Sequence, residues 1–264
     1  MNLISHGLDF PQGNAPGFDP SHPAAQGISG VHGFSGVATG NGFANLITGK
    51  AGTYSLGANG SFINGIIGPA LNWSVAAQPQ YISFPGTTIN DTKVTLATIG
   101  LCTGGGAVGV ATDFNGGGGW VLTYGSLLAP NAGNSASGLT LPTGVPFFLV
   151  ASQLSAAAVN FVFVNLATGA RQTSTVAGQT PLAPTATQLI GSDSTGTGTT
   201  MAGYISATMW APVGLTLTQL VQWSQNPWGF WYPPTVADLL IFSRATLGAP
   251  AQNQYDNALP PFVY

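Results

Sequence analysis

The chain has 264 residues, of which 4% are charged: four are Lys or Arg, and all seven acidic residues are Asp. Because a globular chain usually carries about 25% charged residues, this composition disfavours nucleic-acid binding, which needs clustered Lys and Arg, and helices with exposed charged faces. A hydrophobic fraction of 44% with a net charge of only −3 also disfavours disorder of the whole chain.

Residues 1–27 predict an extended N-terminal arm. Pro11, Pro16, Pro20 and Pro23 remove backbone donors and disfavour helix, and the interspersed glycines add conformational freedom. Terminal arms of this kind are often unfolded alone and become ordered against a neighbour. We therefore expect this arm to dock on other molecules.

From about Gly30 the chain changes to short apolar or alternating runs separated by Gly, Asn and Pro. The runs that fit β-strands are Gly52–Leu56, Ala70–Val75, Gln80–Phe84, Val94–Ile99, Ala107–Thr112, Gly119–Tyr124, Pro146–Ser152, Ala158–Leu166, Gln172–Val176, Gln188–Ile190 and Gly203–Ala211. Turn signals fall between nearly all of them, including Asn131–Gly138. Many short strands at this spacing predict an all-β sandwich or barrel.

The clearest hairpin is FVFVNLATGARQTSTV, residues 161–176. Its first strand, FVFV, is apolar on both faces, which predicts a buried, central strand. The turn is predicted at 167–170, where Gly169 supplies a positive φ. The longest apolar stretch, Phe147–Ala167, contains several Ser, Gln and Asn residues. It predicts two buried strands rather than a membrane helix, which needs about 20 mainly apolar residues.

One helix is predicted at Leu217–Ser224, with apolar residues three and four positions apart and Thr216 or Thr218 as N-cap. Asn226-Pro227 ends it. The last stretch returns to a composition rich in Pro, Asn and Gln. The predicted organisation is an N-terminal arm at 1–27, one β-sandwich domain at 28–246 and an extended C-terminal arm at 247–264.

The single cysteine, Cys102, excludes an intrachain disulfide and favours a compartment in which disulfides do not form. Residues 1–20 show no basic region followed by an apolar run, so no signal peptide is predicted. These two features fit a protein that is released by cell lysis.

Three stretches carry a family resemblance. They are DPSHPAAQGISGV at Asp19–Val31, LNWS…QYISFPG at Leu71–Gly86, and Ile190-Gly191 followed by Met201–Trp231, which contains NPW at 226–228. The first is similar to an opening "SHPLARGLVAA", the second to a first strand ending "D-Y-V", and the third to an ending "L-T-x-x-E-I-x-x-L-x-x-N-P-W". In these features the chain resembles concanavalin A-like (laminin G-like) domains of bacteriophage and prophage proteins, over roughly residues 19–245.

The resemblance implies a concanavalin A-like jelly-roll β-sandwich with one short helix near its C-terminal end and a location in the virion. The chain departs from the family at two places. Gln219 or Gln222 stands where the helix often has Glu, and His32-Gly33-Phe34 replaces the Trp or Leu of the opening strand. The resemblance therefore implies a shared fold and not a shared ligand.

Catalysis is not expected. A glycosidase needs two carboxyl groups about 5–9.5 Å apart, and Asp91, Asp113, Asp193 and Asp238 stand in no paired motif. The histidines lie in or beside the N-terminal arm, and Cys102 has the surroundings of a buried, inert thiol. The chain is thus predicted not to be an enzyme, with no catalytic residues.

No cofactor and no metal ligands are predicted. Calcium takes 6–8 oxygen ligands, with several carboxylates among them. Asp113 with Asn115, or Asp193 with backbone oxygens, would supply only part of such a shell. Turn-forming Asp and Asn residues explain the same pattern.

A glycan-binding site is predicted in DFNGGGGWVLTY, which offers Asp113, Asn115, Trp120 and Tyr124 near one loop. Lectin-like sites combine an aromatic platform with short amide and hydroxyl groups and need little charge. Trp120 and Tyr124 share a face if the strand is regular. The alternative interpretation is that both aromatic side chains belong to the core.

The predicted protein is a non-enzymatic bacteriophage structural protein: a capsid decoration or a head or tail fibre component with a lectin-like sandwich. Its expected partners are other virion proteins, bound through the terminal arms, and host cell-surface polysaccharide. A homo-oligomer is expected because a weakly charged surface resists self-association poorly. Nucleic-acid binding and membrane insertion are not expected. The alternative is a secreted or cell-surface bacterial carbohydrate-binding adhesin, which the missing signal peptide disfavours.

Overall fold

The computed structural model describes residues 22–25, 27–34, 43–45, 47, 51–55, 60–65, 68–73, 80–85, 92–104, 109–112, 119–129, 133–181, 187–192 and 201–230. All of them belong to one compact unit, Met1–Tyr232. The strands are β1 (Gly30–Phe34), β2 (Phe43–Asn45), β3 (Thr53–Ser55), β4 (Gly60–Gly65), β5 (Gly68–Trp73), β6 (Tyr81–Pro85), β7 (Val94–Gly104), β8 (Gly109–Thr112), β9 (Val121–Thr123), β10 (Ser126–Ala129), β11 (Gly133–Ala136), β12 (Pro146–Ser155), β13 (Ala158–Asn165), β14 (Arg171–Val176), β15 (Thr187–Ile190) and β16 (Ala202–Ala211). The α-helix α1 spans Leu217–Trp223, and 3-10 helices span Pro23–Ala25 and Pro227–Phe230.

The strands form two antiparallel sheets. The large sheet has the order β14-β13-β12-β7-β16-β1-β2; β5 pairs with the first residues of β16, and β4 pairs with β5. The small sheet has the order β11-β10-β9-β8-β15-β6-β3. Both sheets contribute to one apolar core. The predicted all-β sandwich with one short helix near the C-terminal end is confirmed.

The core between the sheets follows from the alternation of side chains along each strand. In β7, Leu96 and Cys102 point into this core, whereas Ala97 and Ile99 belong to a second core on the opposite side of the large sheet. The small sheet contributes Leu122 and other side chains of its inner face. Burial of both faces explains why β7 reads as a nearly continuous apolar run.

The second core lies on the outer face of the large sheet. It contains alternate side chains of β12, β13 and β16 together with Leu220 and Trp223 of α1 and Trp228 and Phe230 of the following 3-10 helix. Trp228 of the NPW motif and Phe230 after it thus pack on the sandwich.

The hairpin of β13 and β14 agrees with its sequence pattern. Phe161 and Phe163 lie in the core between the sheets, and Val162 and Val164 lie in the second core. The strand is buried on both faces and paired on both sides, one strand in from the edge. In the turn, Gly169 has φ of 74°.

Helix α1 begins where the sequence predicted. Thr216 is the N-cap and forms a capping box with Gln219, in which the Gln219 backbone N–H donates to Thr216 Oγ1 at 3.3 Å and the Thr216 backbone N–H donates to Gln219 Oε1 at 2.9 Å. Gln219 thus takes the role that Glu has in a capping box. No helix within the described ranges is long and apolar enough to cross a membrane.

A row of polar side chains crosses four neighbouring strands on the outer face of the large sheet. This polar seam consists of Thr95, Ser152, Asn160 and Thr175, which are cross-strand partners. Thr95 Oγ1 lies 2.8 Å from Ser152 Oγ and donates to the Val213 carbonyl at 2.6 Å. Ser152 Oγ also accepts the Leu215 backbone N–H at 2.6 Å.

The seam continues through Asn160, whose Nδ2 donates to the Leu215 carbonyl at 3.1 Å and whose Oδ1 accepts the Thr175 hydroxyl at 2.8 Å. It therefore holds the backbone of residues 213–215, which lead directly into α1. Buried backbone groups need such partners, and here the sheet itself provides them.

A second buried polar side chain, Gln153, closes one end of the sandwich. Its Nε2 donates to the carbonyls of Thr92 and Gln179, at 2.9 and 2.5 Å, and its Oε1 accepts the Gln179 backbone N–H at 2.8 Å. Ser135 of β11 donates to the Ala177 carbonyl at 2.7 Å. The segment after β14 is thereby held by both sheets.

Residues 22–25 of the predicted N-terminal arm pack beside α1. The centroid of the His22 ring lies 4.6 Å from that of the Trp223 ring and 5.1 Å from that of the Phe230 ring. Ala24 is fully buried. Most of the N-terminal arm and all of the C-terminal arm lie outside the described residues. The domain boundaries stay a prediction.

Four of the described strands were not predicted: β2, β4, β10 and β11; β1 was expected only through the family resemblance, as the opening strand at His32-Gly33-Phe34. The prediction of a turn across Asn131–Gly138 is wrong for its middle part, because Gly133–Ala136 is β11. This strand has the sequence GNSA, and within the described ranges it pairs with β10 at the edge of the small sheet. Its small polar residues give no apolar alternation, so the strand depends on backbone pairing and not on a hydrophobic face.

We predict that Ser152→Ala lowers the free energy of unfolding by about 2 kcal/mol, because it leaves the buried Leu215 N–H without an acceptor. Chemical denaturation measures the change. Ser174→Ala, on nearby β14, is the matched control, since Ser174 is the cross-strand partner of Phe161, which lies on the opposite face of the sheet from the seam. Equal losses in the two variants would contradict the role given to the seam.

Candidate functional site

The structure describes two of the four residues of the predicted glycan site, Trp120 and Tyr124. Asp113 and Asn115 lie outside the described residues. Trp120 stands directly before β9, and Tyr124 follows the other end of this strand. Four residues of extended chain separate them by about 13 Å.

Trp120 is fully buried in the core between the sheets. It shares this core with Leu122 and with the half-buried Tyr124, so the predicted alternation is right and the shared face is the interior one. An indole in this position contributes packing and is inaccessible to a sugar. The core interpretation of Trp120, stated as the alternative above, is the one that the structure favours.

Tyr124 holds the exposed segment around Pro142 against the core. Its hydroxyl donates to the Pro142 carbonyl at 3.0 Å, and its ring lies 4.9 Å from Phe147 and 6.4 Å from Phe163. Burial raises the pKa of the Tyr124 phenol far above its usual value, and the electrostatic interaction with Cys102 raises it further. The phenol is therefore a neutral hydrogen-bond donor at physiological pH.

The surface around Tyr124, which we call the Tyr124 rim, also contains Thr140, Pro142 and Gln172. Gln172 Oε1 accepts the Thr140 backbone N–H at 3.2 Å, and Gln172 Nε2 donates to the Thr140 carbonyl at 2.8 Å. Thr140 and Pro142 are exposed. The rim offers hydroxyl, amide and backbone groups to solvent, which suits hydrogen bonding to neutral polar ligands.

Cys102 lies beneath this rim in the core between the sheets. Burial raises the pKa of its thiol, and a hydrogen bond to the Gly104 carbonyl at 3.4 Å accompanies it. A neutral buried thiol is a poor nucleophile. The expected burial of Cys102 is confirmed.

Charge is scarce in the part of the chain that the structure describes. Lys93 and Arg171 are the charged side chains there, and these ranges contain no Asp. The same ranges contain no group of three or more His, Cys, Asp or Glu residues that could hold a metal ion. The Asp residues considered for catalysis or calcium all lie outside them.

Sequence reasoning missed His32, the most unusual polar residue of the interior. It is fully buried in β1, with its ring 4.1 Å from Phe84 and 4.4 Å from Trp210. The available signal was its place between Val31 and Gly33 in a strand that reads GVHGF. Flanking glycines leave room for a large polar side chain to turn inward.

No family model matches the chain, and no curated protein matches it. Solved structures are similar in fold. The enzymatically active domain of tailspike protein 2 from bacteriophage CBA120 is 14% identical, with a TM-score of 0.48 over 70% of this chain and 32% of that one. Domain 4 of an arabinanase from Geobacillus stearothermophilus, in complex with arabinotriose, is 16% identical, with a TM-score of 0.48 over 75% of this chain and 98% of that one.

A sialidase of Trypanosoma rangeli is 12% identical, with a TM-score of 0.49 over 84% of this chain and 37% of the sialidase. The chain thus spans about a third of the length of the tailspike and sialidase chains. The prediction that the chain is not an enzyme is contradicted by these comparisons, because the similar structures include enzymes.

We predict that Trp120→Ala lowers the free energy of unfolding by about 3–5 kcal/mol, because it empties a large core site. Tyr124→Phe removes one hydrogen bond and lowers it by about 1 kcal/mol. Denaturant titration followed by circular dichroism measures both. Tyr81→Phe, in the small sheet, is the control for the loss of a hydroxyl. An unchanged stability of Trp120→Ala would contradict its place in the core.

Proposed function

We propose that this chain is a carbohydrate-binding β-sandwich carried on a bacteriophage particle, as a capsid decoration or a head or tail fibre component. The observation that carries the proposal is the nearly uncharged surface: Lys93 and Arg171 are the charged side chains among the described residues, and Thr, Ser, Gln, Asn and Gly are common at exposed positions. Neutral polysaccharides present hydroxyl groups and no charge, so hydroxyl and amide partners suit them.

The family resemblance supports the virion part of the proposal. Two of its stretches are in contact, because His22, in the SHP stretch, packs against Trp223 and Phe230 on either side of the NPW motif. These residues lie about 200 positions apart in sequence.

Asp113 and Asn115 are the side chains that we propose for glycan contact. They supply a carboxylate and an amide within the segment 113–118, between β8 and β9. Trp120 is left out of the proposed contact because it is buried. We further propose that the arms dock on other virion proteins and that the chain is a homo-oligomer.

We predict that the purified chain binds neutral surface polysaccharide of the host with an affinity that changes less than twofold between about 50 and 500 mM salt, because few charges exist to be screened. Isothermal titration calorimetry measures the affinity. Asp113→Ala and Asn115→Ala are expected to weaken binding without changing the melting temperature. Asn134→Ala, at an exposed position of β11, is the control. Reducing sugar ends are assayed in the same samples, because cleavage of the polysaccharide would create new ends and binding alone would not.

Binding that disappears at high salt, or equal binding by all variants, would contradict the proposed site. The virion location has its own test, which is immunogold electron microscopy of purified particles with antibody to this chain. Label at defined positions on particles is the expected result. Label confined to cell envelopes or culture supernatant would overturn the virion location and favour the adhesin.

A further inference from the structure

Polar side chains also cross the inner face of the large sheet, where the core between the sheets should be apolar. Asn45, His32, Thr208 and Thr98 are cross-strand partners on β2, β1, β16 and β7. Cross-strand partners lie on the same face of a sheet, and His32 contacts Phe84 and Trp210 of the core. We call this row the inner rung.

His32 has no hydrogen-bond partner for either ring nitrogen, although it is fully buried. Gln188 of the small sheet faces it. Gln188 Nε2 donates to Ser29 Oγ at 3.0 Å, whereas Gln188 Oε1 accepts no hydrogen bond. A Cβ atom on Gly30 would collide with His32 Cε1 and lie 2.8 Å from Gln188 Oε1. The imidazole and the amide oxygen thus share the space that this glycine leaves.

No group that faces His32 in the described part of the chain could balance a positive charge. The groups around it are Asn45 on β2, Thr208 and Trp210 on β16, Phe84 on β6 and Gln188 on β15. None of them is charged or titratable at neutral or mildly acidic pH. An unpaired buried cation is strongly unfavourable, and burial lowers the pKa of His32 well below its usual value.

We propose that His32 makes the sandwich acid-labile: a proton can be taken up on its imidazole only when the two sheets part at β1 and expose the ring to water. The neutral ring packs between Phe84 and Trp210 in the closed sandwich. The protonated ring requires water, which the closed core does not admit.

The pH window follows from the direction of the shift. The unfolded chain protonates a histidine near pH 6.5, whereas the folded chain protonates His32 only at a much lower pH. Stability is therefore full above about pH 7 and falls as the pH drops below about 6.5, where the unfolded state binds more protons. The chain has no Glu and three histidines, His6, His22 and His32, so few side chains titrate between pH 5 and 7.

The test is the melting temperature at pH 7 and pH 5 for the full chain and three variants. For the native chain we expect a drop of about 5 °C on acidification. In His32→Gln this drop should shrink to less than half. His22→Gln removes another histidine, and Thr98→Val changes a second position of the inner rung without removing a titratable group; both should keep the drop. An equal drop in His32→Gln and the native chain would overturn the proposal.

A measurement on the native chain covers the case in which His32→Gln does not fold. The three histidines give three imidazole Hε1 signals by nuclear magnetic resonance, and substitution of His6 and His22 by Gln assigns them. One signal is expected to stay at the neutral position from pH 7.5 down to the pH at which the chain begins to unfold. Titration of all three signals near pH 6.5 in the folded chain would overturn the proposal.

Discussion

The polar seam on the outer face of the large sheet is the interaction on which the arrangement of the second core depends. Thr95, Ser152 and Asn160 supply side-chain partners for the backbone of residues 213–215. Apolar packing alone is non-directional and sets no register, whereas these hydrogen bonds fix where β16 gives way to α1. The position of α1 in turn places Trp223, against which His22 packs.

Burial of the large sheet on both faces also bears on the composition of the chain. Strands such as β7 and β12 need apolar side chains at nearly every position, and the remaining surface consists mainly of turns, edges and loops, which favour Gly, Asn, Ser and Thr. The low charge of the sequence is thus compatible with a packed fold. Such a surface offers hydroxyl and amide groups rather than charges for hydrogen bonding.

The strands that the sequence predicted are those whose burial dictates their pattern. β13 is apolar at successive positions because it lies between two cores, and α1 shows its start in the capping residue Thr216. β11 escaped prediction because backbone pairing at an edge leaves no side-chain pattern. The aromatic residues of the candidate site show a different limit: alternation shows that Trp120 and Tyr124 share a face, and it cannot show whether that face is the core or the solvent.

The two polar rows of the large sheet differ in a way that sequence cannot reveal, since both consist of Thr, Ser, Asn or His within apolar strands. On the outer face, every side chain of the seam has a hydrogen-bond partner. On the inner face, His32 and Thr98 have unpartnered polar atoms in the core, each of which costs about 1–3 kcal/mol. The first row stabilises the fold, and the second lowers its stability. Leu at position 32 would avoid the cost of the unpartnered ring nitrogens. The stability of the fold therefore gives no reason for a histidine at this position, whereas the proposed response to pH does.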